Sequence, residues 1–320
     1  MPKKTEVAIT ERYRPETWEQ IAGQTELIKR LKFLADSVNN GNSSMPNLLF
    51  HGPTGTGKTT TARIFCKAIL KDEKPLILNA SKDRGIDTIR EQVTDYCKYR
   101  SMAEVPFKII YLDEADRLTP QAQWALRAIM EDHTDVVRFI LGCEEVTKII
   151  PAIQGRCGKL RFVPVLWSDI YPYLKEVCIS DKIKIRREAL EEICKAANGN
   201  VREALNMLAL VSQTQDGGIL ESDVNNLFGL RQDQICEILL KETKKDGDGR
   251  FYYEAIAGGM TPRGLFNYLV EKISASKLVS IPDKVKIINK VAEVDFRIVM
   301  GASPDIQVRS LLVFVKDVKM

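Results

Sequence analysis

The sequence predicts an α/β fold, in which a parallel sheet with helices on both faces is followed by wholly helical segments. Three observations support this prediction. Short apolar runs alternate with amphipathic segments over the first 165 residues, a glycine-rich pattern follows the first apolar run, and strand-like runs stop beyond residue 165. Alternation of this kind is typical of a doubly wound sheet.

The strands of the predicted sheet are five short apolar runs. Near-continuous apolar runs suit strands that are covered by helices on both faces. They occupy residues 47–50, 76–78, 107–112, 136–141 and 160–163. Between them, apolar residues recur at helical spacing, as in Leu27, Leu31, Leu34 and Val38.

The remainder of the chain reads as helical. Helices are predicted at residues 168–178, 187–197 and 200–212, and amphipathic stretches near 232–241, 264–275, 283–297 and 305–318. Pro164 precedes the first three of these helices and the Gly217-Gly218 pair follows them, and such residues are typical of breaks between helical segments. We therefore predict three domains: an α/β domain at residues 1–164, a small helical domain at 165–229 and a helical bundle at 230–320.

The composition excludes several classes of protein. The 47 basic and 43 acidic residues nearly cancel, so the charge permits nucleic-acid binding without arguing for it. No stretch approaches the roughly 18 to 20 apolar residues of a membrane span, and we expect no secretory signal. The seven cysteines form no Cys-x-x-Cys pair and only two histidines are present, so a zinc site is not expected. We expect a reduced, intracellular protein of the cytoplasm or nucleus.

The glycine-rich pattern matches the phosphate-binding loop G-x-x-x-x-G-K-[ST]. It consists of Gly52, Pro53, Thr54, Gly55, Thr56, Gly57, Lys58 and Thr59, and Thr60 follows it. The loop joins a predicted strand to a predicted helix, so its N–H groups and the helix N-terminus can face phosphates. Lys58 can reach the β- and γ-phosphates and the Thr59 hydroxyl can hold Mg²⁺. The predicted ligands are ATP and Mg²⁺.

Two carboxylates end the third predicted strand. Asp113 and Glu114 follow the apolar run 109–112, about 55 residues after the phosphate-binding loop. At the strand tip, Asp113 would support the Mg²⁺ shell together with Thr59, and Glu114 would polarise the attacking water. We therefore predict Lys58, Thr59, Asp113 and Glu114 as catalytic residues.

Five further segments complete a pattern that can be named. They are Tyr13-Arg14-Pro15 with residues 21–24, the run 79–86, the run 123–131, the run 153–157 and the run 199–206. In order and spacing they resemble the motifs of replication factor C small subunits, the clamp-loader branch of the AAA+ superfamily. The chain departs from that pattern at Lys82, Ala128 and Gly155, where an acid, a second arginine and a serine are usual.

The resemblance implies a fold and a function. The three predicted domains would be an AAA+ domain, a helical lid and an oligomerisation collar. The chain would be the ATPase subunit of a clamp loader, which opens a sliding clamp and loads it onto primer–template DNA. Its partners would be the clamp, primer–template DNA, a large subunit, and copies or paralogues of itself. Two alternatives stay open: another DNA-associated AAA+ motor of the branch-migration or recombination type, or a mainly structural ATP-binding subunit with weak hydrolysis.

The resemblance also implies roles for residues outside the loop. Tyr13, Arg14 and Pro15 would pack over the adenine. Arg156 would be an arginine finger that acts on a neighbouring subunit's ATP, and such fingers strongly accelerate hydrolysis in other enzymes. Arg202 would contact the γ-phosphate of the chain's own nucleotide. The alternative is that both arginines are ordinary surface charges.

One departure bears on the rate of hydrolysis. Family members carry an asparagine after the fourth strand, at the sensor-1 position, where this chain has Glu144. A carboxylate cannot donate the amide's hydrogen bond, and its charge is unfavourable beside a phosphate. We expect slow or partner-dependent hydrolysis, unless Glu144 points away and a neighbour such as Thr147 takes its place.

Contacts with DNA would come from two helix starts. The resemblance implies that Arg84, Ile86 and Arg90 begin one such helix, and that Thr119 and Gln121 begin another. The sequence contains no base-reading motif, so binding through phosphates without sequence preference is expected. Read without the resemblance, Arg84 and Arg90 are ordinary exposed charges.

Overall fold

The computed structural model describes residues 8–41, 45–71, 73–81, 86–97, 107–214, 218–228, 261–276 and 279–316. The chain divides into two compact units, Met1–Leu220 and Glu221–Met320. The predicted boundary at 164/165 lies inside the first unit, and the one at 229/230 lies outside the described residues. Both boundaries stay predictions.

The first unit contains the predicted parallel sheet. Its strands are β1 (Asn47–His51), β2 (Leu76–Asn79), β3 (Lys108–Asp113), β4 (Val137–Cys143) and β5 (Cys157–Arg161). They are ordered β2-β3-β4-β1-β5, and every neighbouring pair is parallel. The prediction placed β5 at 160–163, three residues too late. As an edge strand of mostly exposed residues, β5 has no apolar run to mark it.

Helices of the first unit flank the sheet and then continue beyond it. They are α1 (Ile9–Arg12), α2 (Thr25–Asn39), α3 (Lys58–Leu70), α4 (Ile86–Cys97), α5 (Pro120–Asp132), α6 (Pro151–Gln154), α7 (Trp167–Ser180), α8 (Arg187–Ala196) and α9 (Val201–Thr214). Short 3₁₀ turns occupy Trp18–Gln20, Ala115–Arg117 and Val146–Lys148. The helices predicted at 168–178, 187–197 and 200–212 are confirmed as α7, α8 and α9. The short α1 was not predicted.

The period-2 alternation of the strands divides their side chains between two cores. Leu49, Ile110 and Leu112 pack on the face that also receives Ala122 and Leu126 of α5. Their sequence neighbours point to the other face, where α2 and α3 pack: Leu48, Phe50, Ile109 and Tyr111. All of these side chains are buried. Burial on both faces explains the continuous apolar runs in the sequence.

The described part of the second unit is helical. Its helices are Glu221–Phe228, Pro262–Ala275, Ile281–Val299 and Pro304–Lys316. The last three confirm the stretches predicted near 264–275, 283–297 and 305–318, and they share one apolar core. The stretch 232–241 lies outside the described residues. Across the described ranges, no helix combines the length and the apolar character that crossing a membrane requires.

Candidate nucleotide site

The phosphate-binding loop lies at the carboxyl edge of the sheet, between β1 and α3. Because β1 neighbours β4, and β4 neighbours β3, the loop meets Asp113 and the end of β4 at this edge. Clefts at the carboxyl ends of parallel strands are the usual ligand sites of such sheets. Gly57 precedes α3 with φ +96°, a backbone conformation that side chains disfavour. The glycine thereby lets the loop turn into the helix.

Lys58 is held inside the loop. Its ammonium donates hydrogen bonds to the carbonyls of Gly52, at 2.7 Å, and Pro53, at 2.9 Å. Burial lowers the pKa of Lys58, and the nearby carboxylates of Glu144 and Asp113 partly oppose that effect. A buried cation whose hydrogen bonds go to neutral carbonyls is incompletely neutralised, so an anionic ligand at this position gains a strong partner.

Thr59, Asp113 and Tyr111 form a hydrogen-bonded group beside the loop. The Thr59 hydroxyl donates to Asp113 Oδ2 at 2.7 Å, and the Tyr111 hydroxyl donates to Asp113 Oδ1 at 2.9 Å. A Cβ on Gly142 would lie 2.7 Å from the Tyr111 hydroxyl, so glycine leaves the space that this group needs. A hydroxyl and a carboxylate are the hard oxygen donors that Mg²⁺ prefers. The predicted metal residues Thr59 and Asp113 are thus brought together.

Glu114 lies in the left-handed backbone region, with φ +55°. Its amide donates to Asp113 Oδ1 at 3.1 Å, and its carboxylate accepts a hydrogen bond from the Ser81 hydroxyl. Glu114 lines the same cleft as Lys58 and Thr59. The predicted base Glu114 therefore lies in the same cleft as the predicted phosphate-binding residues Lys58 and Thr59.

Helix α9 closes the cleft from the other side. The Val201 amide donates to the Gly55 carbonyl at 3.0 Å, and a Cβ on Gly55 would lie 1.7 Å from Asn200 Oδ1. Gly55 thus allows the start of α9 to meet the loop. The predicted Arg202 lines the resulting cleft, which encloses about 1000 Å³ including its open mouth.

The N-terminal segment forms a further wall of the cleft. Arg14 and Pro15 line the cleft, as do Thr54, Thr56 and Thr60 of the loop region. Tyr13 is not among the lining residues. Its hydroxyl donates to Asp181, after α7, and its carbonyl accepts from Tyr173 at 2.6 Å. The adenine contact of Tyr13 stays a prediction, and in this structure the Tyr13 hydroxyl is bonded to Asp181.

Arg156 lies outside the chain's own cleft. It forms an ion pair with Glu131 of α5, and its Nη1 donates to the Ala152 carbonyl at 2.7 Å. Arg127 reaches the same Glu131 oxygen at 2.8 Å. The Arg156 side chain is 37% exposed. It is therefore accessible to another molecule and is absent from the lining of the cleft that holds Lys58.

Glu144 does line the cleft. It is exposed, and it lies one residue beyond Cys143, the last residue of β4. The amides of Glu144 and Glu145 donate to Asp116 Oδ2 at 3.2 and 3.3 Å, which fixes the backbone of this turn. Thr147 is not among the lining residues. The expected alternative, in which Thr147 replaces a Glu144 that faces away, finds no support here.

The residues predicted to contact DNA are only partly described. Thr119 caps α5 by accepting a hydrogen bond from the Ala122 amide at 3.2 Å, and Gln121 is exposed in the first turn. Helix α4 begins at Ile86, as predicted. Arg84 lies outside the described residues, as do the side chains of Ile86 and Arg90.

The fold and the site together define a P-loop ATPase of the AAA+ class. Residues 48–165 match the ATPase family associated with various cellular activities (AAA). Residues 173–209 match the RCF1/5-like AAA+ ATPase lid domain. Both matches lie within the first compact unit, where the cleft is formed.

Whole-chain similarity places the protein more narrowly. It is 35% identical over 314 residues to a replication factor C small subunit of Methanococcus vannielii, covering 94% of this chain and 96% of the relative. A replication factor C small subunit of Staphylothermus marinus is 36% identical over 316 residues, covering 96% and 94%. The chain belongs to the replication factor C small subunit family.

Solved structures add support for the fold alone. The Holliday junction branch migration motor RuvB of Thermotoga maritima superposes with a TM-score of 0.57 at 18% identity. The match covers 71% of this chain and 79% of that chain. At 18% identity, this similarity shows a shared fold and gives no information about the substrate of this chain.

Sequence reasoning assigned no role to several residues that shape the site. Tyr111 lies inside an apolar run and Gly142 directly follows another, where nothing marks them as functional. Tyr173 lines the cleft from α7, and no motif surrounds it. Asn200 was part of a quoted motif, and its position directly before a helix was the signal that could have identified it as a cap.

Proposed function

We propose that this chain is the ATPase subunit of a sliding-clamp loader, which opens a clamp and loads it onto primer–template DNA. The observation that carries the proposal is the separation of Arg156 from the chain's own cleft. That cleft gathers a phosphate-binding loop, a predicted magnesium site and a predicted base. Arg156, the predicted finger, lies elsewhere, and its side chain is 37% exposed. A site completed by a neighbour requires an assembly, as a clamp loader does.

Within the cleft, the residues divide the work of binding and hydrolysis. Lys58 would exchange its two carbonyl partners for phosphate oxygens, which are stronger acceptors for a cation. Thr59 and Asp113 would hold Mg²⁺, which offsets charge on the phosphates when it is bound. Glu114 would orient the attacking water, after its carboxylate leaves Ser81. Arg202 would contact the γ-phosphate from the start of α9.

Across the interface, Arg156 would act on the ATP of the next subunit. Its partner Glu131 is itself shared with Arg127, so the departure of Arg156 leaves Glu131 with a cation. ATP binding would stabilise the assembly, and primed DNA would align Arg156 with Lys58 and Glu114 for hydrolysis and release. The other subunits would be a large subunit and copies or paralogues of this chain. The assembly would work with DNA inside the cell, in the cytoplasm or nucleus.

DNA would be held through its phosphates. The exposed Gln121 lies in the first turn of α5, directly after the cap residue Thr119 and Pro120, and its amide and side chain would offer contacts to a phosphate at this helix N-terminus. Arg84, Ile86 and Arg90 would supply the second contact at the start of α4. Binding of this kind depends on salt and ignores sequence.

A second candidate function is favoured by Glu144, which lines the cleft. A carboxylate beside the γ-phosphate would slow hydrolysis, which suits a mainly structural subunit that binds ATP and relies on partners for turnover. A branch-migration motor has only the likeness of fold in its favour.

The test is the ATPase rate of the complete assembly with clamp and primer–template DNA each present or omitted. A clamp loader should respond synergistically to both, and Arg156→Ala should abolish the response. ATP binding without turnover would favour the structural subunit. Strong stimulation by branched or unprimed DNA, with no response to the clamp, would favour the motor.

A further inference from the structure

A carboxylate of the helical part of the first unit holds the N-terminal segment of the chain. Asp181 pairs with the Arg12 guanidinium and accepts a hydrogen bond from the Tyr13 hydroxyl. The Arg12 guanidinium also lies 5.0 Å from the centre of the Tyr13 ring. The side chains of Arg12 and Asp181 are 27% and 22% exposed. The three groups thus form one partly buried cluster.

The position of Asp181 is fixed by the end of α7. Lys182 adopts φ +56°, its amide donates to the Ile179 carbonyl at 3.3 Å, and the Ile183 amide donates to Cys178 at 2.9 Å. This pair of bonds is a Schellman motif, which ends a helix in a defined geometry. A negative charge is unfavourable at a helix C-terminus. The ion pair with Arg12 offsets that effect and accounts for an acid at this position.

The same helix holds Tyr13 at a second point. Tyr173 precedes Asp181 by about two turns of helix and donates to the Tyr13 carbonyl at 2.6 Å. Tyr173 also lines the nucleotide cleft. Helix α7 therefore fixes both the backbone and the side chain of Tyr13.

Beyond Pro15 the segment is anchored to the α/β layer instead. The Trp18 ring packs edge-on against Phe65 of α3, with ring centres 6.4 Å apart, and Lys32 of α2 donates to Glu19 at 2.7 Å. Arg14 and Pro15, which line the cleft, lie between the two anchors. The Asp181 cluster is therefore one of the contacts that hold this wall, beside the hydrogen bond from Tyr173 to the Tyr13 carbonyl.

We propose that Asp181 is a positioning residue for nucleotide binding, which acts through Arg12 and Tyr13 to hold Arg14 and Pro15 against the cleft. The inference rests on the nucleotide-binding part of the proposed function, and extends it to a residue that touches no phosphate-binding group. Loss of the anchor should weaken nucleotide binding and speed nucleotide release. The hydrolysis rate at saturating ATP should be kept, because Lys58, Thr59 and Glu114 are unaltered.

The test compares Asp181→Asn with Glu176→Gln, which removes an exposed carboxylate from the same helix. A fluorescent ADP derivative with Mg²⁺ is titrated into each protein, and its dissociation rate is measured by chase with unlabelled ADP. Asp181→Asn should weaken binding about threefold to tenfold. This range corresponds to losing part of the stabilisation of one charge-assisted hydrogen bond. Glu176→Gln should match the wild type. Asp181→Glu, which keeps the charge, should recover part of the affinity.

A second variant distinguishes positioning from general damage to the fold. Arg12→Gln should weaken binding as Asp181→Asn does, and the double variant should be little weaker than either single one, since both remove the same pair. Equal affinity in Asp181→Asn and Glu176→Gln would overturn the inference. So would a maximal hydrolysis rate that falls in step with affinity. A wild-type protein that binds no ADP would instead overturn the proposed function, and this inference with it.

Discussion

Arg156 pairs with Glu131 on the exposed side of α5, in a part of the molecule that does not line the chain's own nucleotide cleft. Exposed ion pairs stabilise proteins by only about 0 to 1 kcal/mol, so a phosphate of a neighbouring subunit can compete for this guanidinium. Arg156 is thus held by an exposed ion pair and takes no part in the cleft of its own subunit. Its role in trans is therefore open to a direct test.

The first prediction concerns complementation between two inactive proteins. Lys58→Ala would remove the proposed phosphate contact of a cleft, and Arg156→Ala would remove the proposed finger that acts on the next cleft. Each variant alone should lower the ATPase rate of the assembly by at least about a hundredfold, in view of the size of finger effects elsewhere. Mixed assemblies should regain activity, because some clefts combine an intact Lys58 with an intact neighbouring Arg156. Mixtures as inactive as the single variants would mean that both residues serve the same cleft.

A matched control addresses the contact that holds the finger. Glu131→Gln removes the charge that Arg156 shares with Arg127 but leaves both arginines in place. The assembly should keep its ATPase activity within about a factor of five, since only an exposed pair is lost. A loss as large as that of Arg156→Ala would show that Glu131 itself is needed.

The second prediction concerns magnesium. The Asp113 carboxylate accepts a hydrogen bond from the Thr59 hydroxyl at 2.7 Å and would support the metal. Asp113→Asn removes its negative charge. We expect binding of ADP to lose its dependence on Mg²⁺ and the ATPase rate to fall by about a hundredfold or more. Calorimetric titration with and without Mg²⁺ measures the first effect. Tyr111→Phe removes only the hydroxyl 2.9 Å from Asp113 and should keep the Mg²⁺ dependence; an equal loss in both variants would contradict a metal role for Asp113.

The third prediction concerns the contact between the loop and α9. Gly55 has φ +71°, and a Cβ there would lie 1.7 Å from Asn200 Oδ1. Gly55→Ala should therefore displace the start of α9 and abolish measurable nucleotide binding. Gly41→Ala is a matched control, because Gly41 has φ +94° with nothing within 4 Å of its added Cβ. Gly41→Ala should destabilise the protein by about 1 to 2 kcal/mol, seen as a lower Tm, while nucleotide binding is kept.

Comparison of these residues with the sequence shows what could be predicted and why. Lys58, Thr59, Asp113 and Glu114 could be predicted as one site because their patterns are short, contiguous and placed at strand ends, and all four line one cleft in the structure. The strands β1 to β4 were found because burial on both faces leaves continuous apolar runs. The bond between Tyr13 and Asp181 was not predicted, because the two residues are 168 positions apart and no local pattern reports a contact of that separation. Strand β5 was shifted because its residues are exposed at the edge of the sheet.

The fourth prediction follows from the burial of Lys58, which lowers its pKa. Phosphates need the protonated ammonium, so nucleotide affinity should be full below the lowered pKa of Lys58. Affinity should fall as pH rises through the lowered pKa, before free lysine would titrate. Between the lowered pKa of the folded protein and the ordinary pKa of the unfolded chain, Lys58 holds more protons in the unfolded state. Over this pH interval, the contribution of Lys58 to the free energy of unfolding of the nucleotide-free protein therefore rises with pH. Titration with ADP over a pH series measures the effect, and Lys58→Arg should flatten it because arginine stays charged; a slope of equal size in that variant would assign it to another group.

The last prediction concerns Glu144, whose exposed side chain lines the cleft where family members carry an asparagine. Its charge opposes the negative charge of a γ-phosphate, and it cannot donate a hydrogen bond to it. At contact distance in water such repulsion amounts to about 1 kcal/mol, so Glu144→Asn should raise the maximal ATPase rate of the assembly about fivefold or more. Glu145→Gln is the matched control, because Glu145 bonds to Lys148 at 2.7 Å and does not line the cleft. An unchanged rate in Glu144→Asn would remove the basis for slow hydrolysis, and a lower rate would mean that the carboxylate itself takes part in orienting the water.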